Sequence, residues 1–311
     1  MILVVLSLHF IVYSCKSDKG TETVNDSVKT SNVTEGGFVE VITQGMDFRL
    51  PDTLNSGWTK FKYVNKSVEP HFFILEKLPD SLGIQDYKRD VFPPFIAAFE
   101  FFEKGDISSG MKEFEKIPEW FYRVELCSGV GLTSPQSTSV STVNLEPGTY
   151  VMECYVRMPN GMAHTFMGML KEVVVIDTNN AKTEPKANNT ISLSSNNGIR
   201  FVDSLKTGYH KFSVDFIDQK QYEHMMGHDV NLVKIENDSS LTALGTWLNA
   251  ADIKAFRSPA PKGVTFLGGV QDLPAAKRAF FEAYLTPGNY VLISEIPQAI
   301  ERNMYKTFKV Y

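Results

Sequence analysis

Cysteine is scarce in this chain, with three in 311 residues, at positions 15, 127 and 154. So low a count excludes a small fold stapled by several disulfides. Basic charge is not in excess either: the net charge is -5 and the pI is near 5.7, which removes the electrostatic reason to bind a phosphate backbone and excludes nucleic acid as a partner. Long apolar runs are missing as well. The only candidate, MILVVLSLHFIVYSC at the N-terminus, falls short of the roughly 20 residues that span a bilayer and has the length of a signal-peptide apolar region. No Lys or Arg precedes it.

That apolar run ends in Val12-Tyr13-Ser14-Cys15, which resembles a bacterial lipobox, with a small residue before the cysteine that becomes lipidated. The expectation is a signal peptide over 1–14, lipidation at Cys15, and a tether over 15–36, since KSDKGTETVNDSVKTSNVTEGG is polar and small. The protein would then belong to the cell envelope, held to a membrane by its lipid on the periplasmic face or outer surface.

Beyond the tether, aromatic and β-branched residues form short alternating runs punctuated by Gly and Pro, which predicts a mainly all-β fold. An internal repeat sets the domain count. FRLPDTLNSGWTKF at 48–61 aligns without a gap to IRFVDSLKTGYHKF at 199–212, LEPGTYVMECYV at 145–156 to LTPGNYVLISEI at 285–296, and MLKEVVV at 169–175 to MYKTFKV at 304–310. The shared order implies a duplicated domain, giving domains at 37–178 and 191–311 with a polar linker at 179–190. The first copy carries an insertion at about 80–121. There Pro93-Pro94 opens a helix through FIAAFEFFEKG that Gly105 ends, and MKEFEKIPEWF forms a second helix stopping at Pro118. Its many aromatic residues suggest a helical cap, or an apolar cover that shields a site or presents a docking face.

Chemistry concentrates between 153 and 169, in ECYVRMPNGMAHTFMGM. Two imidazoles, a thiolate and a weak axial thioether suit copper in both oxidation states. Cys154, His164 and Met169 supply three of these, and His71 in VNKSVEPHFFIL offers the fourth. These residues resemble the cupredoxins: Asn65 followed by Pro70-His71-Phe72 is similar to the family's first histidine strand. Pro147-Gly148-Thr149-Tyr150 entering Cys154, then His164-Thr165-Phe166-Met167-Gly168-Met169 before LKEVVVI, is similar to its C-terminal ligand hairpin. The nine residues between Cys154 and His164 make a longer loop than in plastocyanin-like proteins, closer to copper nitrite reductase.

The resemblance implies two tandem cupredoxin-like Greek-key β-sandwiches and one copper in the first domain, held by His71, Cys154, His164 and Met169, with Phe72, Phe73 and Phe166 as a dry shell. It also implies a one-electron carrier with a protein redox partner. Glu153 stands where copper nitrite reductase places a second-copper histidine, and the His-Cys-His run of multicopper oxidases is absent, so the chain is expected not to be an enzyme. Two alternatives stay open. Met158, Met162 and Met167 crowd the same loop, and thioethers select Cu(I), so the protein could handle copper and deliver it to a partner. Alternatively Cys127 and Cys154 form a disulfide in a metal-free interaction module. In the second copy His71 matches His228, but Cys154 falls on Ser294, His164 near Ala299 and Met169 on Met304, and the loop is five residues shorter. The second domain is therefore expected to hold no metal.

Overall fold

The Gly and Pro punctuation of the sequence resolves into eighteen strands among the described residues of the computed structural model, which are 37–222 and 227–311. The expected signal peptide, Cys15 and the whole expected tether, 15–36, lie outside the described residues. The first nine strands are β1 (Val39–Thr43), β2 (Phe48–Arg49), β3 (Thr53–Asn55), β4 (Gly57–Asn65), β5 (His71–Lys77), β6 (Glu125–Thr133), β7 (Ser137–Leu145), β8 (Gly148–Glu153) and β9 (Leu170–Ile176). The second nine repeat the series: β10 (Asn189–Ser194), β11 (Gly198–Arg200), β12 (Ser204–Leu205), β13 (Gly208–Phe216), β14 (Val230–Ile235), β15 (Val264–Val270), β16 (Arg278–Leu285), β17 (Gly288–Ile293) and β18 (Tyr305–Val310). β10 begins at Asn189, inside the stretch expected to be linker, because its backbone already pairs with Phe212 of β13.

Alternation decides which face each strand buries. In β4 every second residue is buried, with Phe61 and Tyr63 fully inside while Lys60 and Lys62 face out, as the period-2 geometry of a strand requires. β5 is buried on both faces over six of its seven residues, because one face meets the first sandwich's interior and the other meets the second half of the chain.

The strands form two sheets that run through both halves. One has the order β11-β10-β13-β16-β7-β4-β1-β2, the other β12-β18-β17-β14-β15-β6-β5-β8-β9-β3. Replacing each strand by its counterpart in the other half reverses the order of each sheet. The joints are β7 with β16 and β6 with β15, each strand beside its own equivalent and antiparallel to it. The two sandwiches are thus related by a pseudo-two-fold axis and share one apolar core. The seam is close at the backbone: a Cβ built on Gly131 would lie 2.9 Å from Gly268 C and from Gly269 Cα and N.

Between β5 and β6 stand three helices, α1 (Ile84–Asp90), α2 (Phe92–Glu103) and α3 (Ile107–Phe114). α2 has Pro in its first turn, where a missing N–H is harmless, and Gly105 follows it at φ +80. The second expected helix is displaced. Asp106 caps α3 by accepting from Ser109 N at 3.0 Å, so α3 starts at Ile107 and ends at Phe114, and after Pro118 the chain makes only a 3-10 turn, Glu119–Arg123. α1 was not anticipated, nor was α4 (Asp238–Trp247) in the second half, capped by Asn237 accepting from Ser240 N at 3.0 Å.

Candidate metal centre

Three neighbouring strand ends build the site. His71 opens β5, Cys154 directly follows β8, and Met169 directly precedes β9. These strands pair antiparallel in the order β5-β8-β9, with Ile74 opposite Glu153 and Glu153 opposite Leu170. The loop from 154 to 169 folds back through a short 3-10 turn, His164–Met167, that returns His164 to the same end of the sheet. Cys154 N donates to Met169 O at 3.2 Å, and Met169 N to His164 O at 3.1 Å.

The side chains converge. Cys154 Sγ lies 3.8 Å from His71 Nδ1 and 3.9 Å from His164 Nδ1, and the two Nδ1 atoms are 3.1 Å apart. The point equidistant from these three atoms is about 2.1 Å from each by plane geometry, within the roughly 2.0–2.3 Å of metal–nitrogen and metal–sulfur bonds. Among the described residues this is the group of His, Cys and acidic side chains placed to hold a metal ion. All three are fully buried.

Burial also sets their protonation. It pushes His71 down to about 3, with the neighbouring His164 adding to the effect, and it pushes His164 down to about 4. Both imidazoles are therefore neutral near pH 7, the form that ligates. Burial raises the Cys154 thiol to about 12, opposed by the backbone N–H groups of Phe72 and Val156 directed at the sulfur. A metal ion taking this site must displace that thiol proton.

The other expected residues divide. Met169 is fully buried beside the two ligand-bearing segments. Met158 and Met162 are half-buried on a hairpin closed by Met158 N donating to Met162 O at 2.8 Å, and Met167 is 46 % exposed. Phe72 and Phe73 are buried on opposite faces of β5. Phe73 packs edge-on to Phe48, Phe61 and Tyr63 inside the first sandwich, while Phe72 meets Tyr155 and, from the second sandwich, Phe256. Phe166 is covered by Phe92 and Phe99 of α2 at 4.9 and 6.0 Å between ring centroids, so the helical cap packs directly on the loop carrying His164.

The disulfide alternative is corrected. Cys127 and Cys154 are both free, and topology keeps them apart. Cys127 lies on β6 and Cys154 at the end of β8, which flank β5 on opposite edges. Two strand spacings of about 4.8 Å already exceed the Cα separation of roughly 7 Å that a disulfide tolerates.

Two residues at the site escaped the sequence reading. Glu69 Oε2 lies 3.2 Å from His164 Nε2. Arg157, in the ligand loop, is buried and donates to three backbone carbonyls of the second sandwich, Ala250, Asp252 and Ala255, at 2.7 to 3.0 Å. The sequence signal for Glu69 was its position two residues before His71. Arg157 had none, its partners being more than ninety residues away.

No family model matches the chain, and no curated protein matches it. Among solved structures, auracyanin B is similar over 42% of this chain and 93% of its own, at 17% identity and a TM-score of 0.29. A multicopper oxidase is similar over 90% of this chain and 92% of its own, at 11% identity and a TM-score of 0.23. A copper-containing nitrite reductase from Thermus scotoductus covers 88% of this chain and 61% of its own, at 10% identity and a TM-score of 0.22. The fold is all-β in the main, two tandem β-sandwiches. The expectation that the chain is not an enzyme is withdrawn: two solved structures similar over 90% and 88% of it are a multicopper oxidase and a copper-containing nitrite reductase. The likeness is too slight to carry a reaction over to this chain.

Proposed function

We propose that the protein binds one copper ion in its first sandwich and serves as a one-electron carrier of the cell envelope, anchored through lipid on Cys15. The observation that carries the reading is the convergence of Cys154 Sγ with the Nδ1 atoms of His71 and His164 at 3.1 to 3.9 Å in a fully buried pocket. Copper held by such a donor set supplies reversible one-electron chemistry. In this reading Cys154 is the thiolate ligand, His71 and His164 the imidazole ligands, and Met169 the weak axial ligand that tunes the potential. The buried aromatic rings around β5 keep water out, and both rings stay fixed by packing at 4.8 Å between centroids.

The test is to add Cu(II) to the purified protein and record its visible spectrum. An intense thiolate-to-copper band, lost in C154A, supports the reading. Stoichiometric Cu(I) binding without any band, weakened cumulatively by M158L, M162L and M169L, would replace it with a thioether-based copper-handling role that passes the ion to a partner protein.

A further inference from the structure

Both histidines leave their far nitrogen, Nε2, buried without a well-aligned hydrogen-bond partner, and at His164 an acidic oxygen stands beside it. That oxygen is Glu69 Oε2, buried and equally without a well-aligned partner. His164 Nε2 and Glu69 Oε2 face each other at 3.2 Å. Neutral imidazole carries one proton, and with Nδ1 directed at the Cys154–His71 pair the ring must hold its hydrogen on Nε2 to ligate through Nδ1. A carboxylate oxygen at that distance is the acceptor such a hydrogen needs.

Glu69 is itself fixed in place. Asn65 Nδ2 donates to Glu69 O at 2.8 Å and to Thr133 O at 3.0 Å, while Asn65 Oδ1 accepts from Ser67 N at 2.9 Å. One buried amide thus ties the turn before His71 to the end of β6. Ser258 of the second sandwich lies near the Glu69 carboxylate, and its Oγ has no well-aligned partner of its own. Ser258 is held against the ligand loop by its own N–H, which donates to Arg157 O at 2.8 Å, and Arg157 N donates to Phe256 O at 2.9 Å.

We propose that Glu69 is the positioning residue of His164, accepting the Nε2 hydrogen of the ligating ring at 3.2 Å, and that Ser258, tied by its N–H to Arg157 O of the ligand loop, brings the second sandwich up to this pair. This rests on the copper reading above. The second sandwich then closes the outer shell of a centre whose ligands all lie in the first. Outer-shell carboxylates of this kind fix the tautomer and raise ligand basicity. An anion there also favours Cu(II) over Cu(I), since the more highly charged ion gains more from a nearby negative charge.

The experiment compares the full-length copper-loaded protein with E69Q and S258A. E69Q is expected to keep the visible band and shift the Cu(II)/Cu(I) affinity ratio about tenfold toward Cu(I), read as a rise of about 59 mV in reduction potential for a one-electron couple. S258A is expected to shift it in the same direction by less. Nitrogen-15 NMR of the zinc-loaded protein gives a second readout that needs no redox activity: His164 should show a protonated Nε2 with slow hydrogen exchange in the wild type and fast exchange in E69Q. An unchanged potential in E69Q with the band present overturns this proposal and leaves the copper reading intact. A wild type with no band that still loads zinc overturns the copper reading alone, and the NMR arm then decides the role of Glu69. A wild type that takes up neither metal overturns both.

Discussion

The two sandwiches repeat the same strand order, and of the four matched candidate-ligand positions two differ: Cys154 becomes Ser294 and His164 becomes Ala299, while histidine and methionine stand in both copies at 71/228 and 169/304. Ser294 N donates to Met304 O at 3.0 Å and Met304 N to Ala299 O at 2.7 Å, repeating the bonds that link Cys154, Met169 and His164. Strand register matches His71 with His228, since Ile74 faces Glu153 as Asn231 faces Ile293. The backbone scaffold therefore persists where the cysteine and the second histidine do not. In the second copy the corresponding positions make other bonds. Ser294 Oγ donates to Asp229 Oδ1 at 2.6 Å, and His228 Nε2 pairs with Ser195 Oγ at 2.6 Å. The backbone bonds of the loop thus recur in the copy that lacks the cysteine and one of the histidines, so any difference in metal binding between the copies rests on side-chain identity.

The sharpest way to break the comparison is C154A. It is expected to lower copper affinity of the full chain at least a thousandfold, about 4 kcal/mol, as read by chelator competition. One tight equivalent remaining in that variant would put metal in the second sandwich or on the Met loop. Next is R157A, which strands the carbonyls of Ala250, Asp252 and Ala255. At roughly 1–3 kcal/mol for each buried unsatisfied group, denaturant unfolding should show a loss of about 3 kcal/mol or more. A loss under about 1 kcal/mol would mean that the ligand loop and second sandwich do not depend on this clamp.

Acidity tests the seam between the halves. Burial raises Asp272 to about 8, with Asp229 adding to it, and burial raises Asp229 to about 7, opposed by the Ser294 hydroxyl. Glu295, Tyr155 and Arg157 share this environment. The folded state holds protons that the unfolded chain releases near pH 4, so these groups favour folding below that pH. Their contribution is lost as pH rises from about 4 to about 8, at up to roughly 1.4 kcal/mol per unit for each group. D272N should flatten that decline in urea unfolding series across the window, and an unaltered slope would show that Asp272 does not hold a proton there. The smallest effect separates the two methionines. M169L and M304L should each change stability by less than about 1.5 kcal/mol, but only M169L should raise the reduction potential of the copper-loaded protein. Equal potentials in the two variants would remove Met169 from the axial role.

What was legible in the sequence followed from local rules. The repeat matched Cys154 with Ser294 inside a gapless block and offered His228 as the counterpart of His71, because strands conserve spacing wherever register does, and the loop from Cys154 to Met169 lies within one hairpin of the fold. The flanking Pro and Gly signals located α2. Contacts made across the seam were not legible. Arg157 reads in sequence as a loop charge, and nothing near it announces that its guanidinium ends among carbonyls of residues 250–255. Glu69 reads as a solvated residue in a turn until the fold brings His164 beside it. α4 had a findable signal in Asn237 and Ser240, spaced as an N-cap pair, whereas α1 is capped by Gly83, whose N–H donates to Asp86.

The palindromic strand order bears on how such a molecule could come to be lopsided. Two identical chains joined through the same β6 and β7 edges would form a closed isologous dimer, in which any substitution appears twice and both halves gain or lose a site together. Placing both copies in one polypeptide lifts that constraint. One half can give up its ligands and keep its edges, and mutations in it are then screened only for how well it supports its neighbour. The continuous sheets make that division of labour heritable: the half without ligands cannot dissociate, be diluted or be replaced by a different copy.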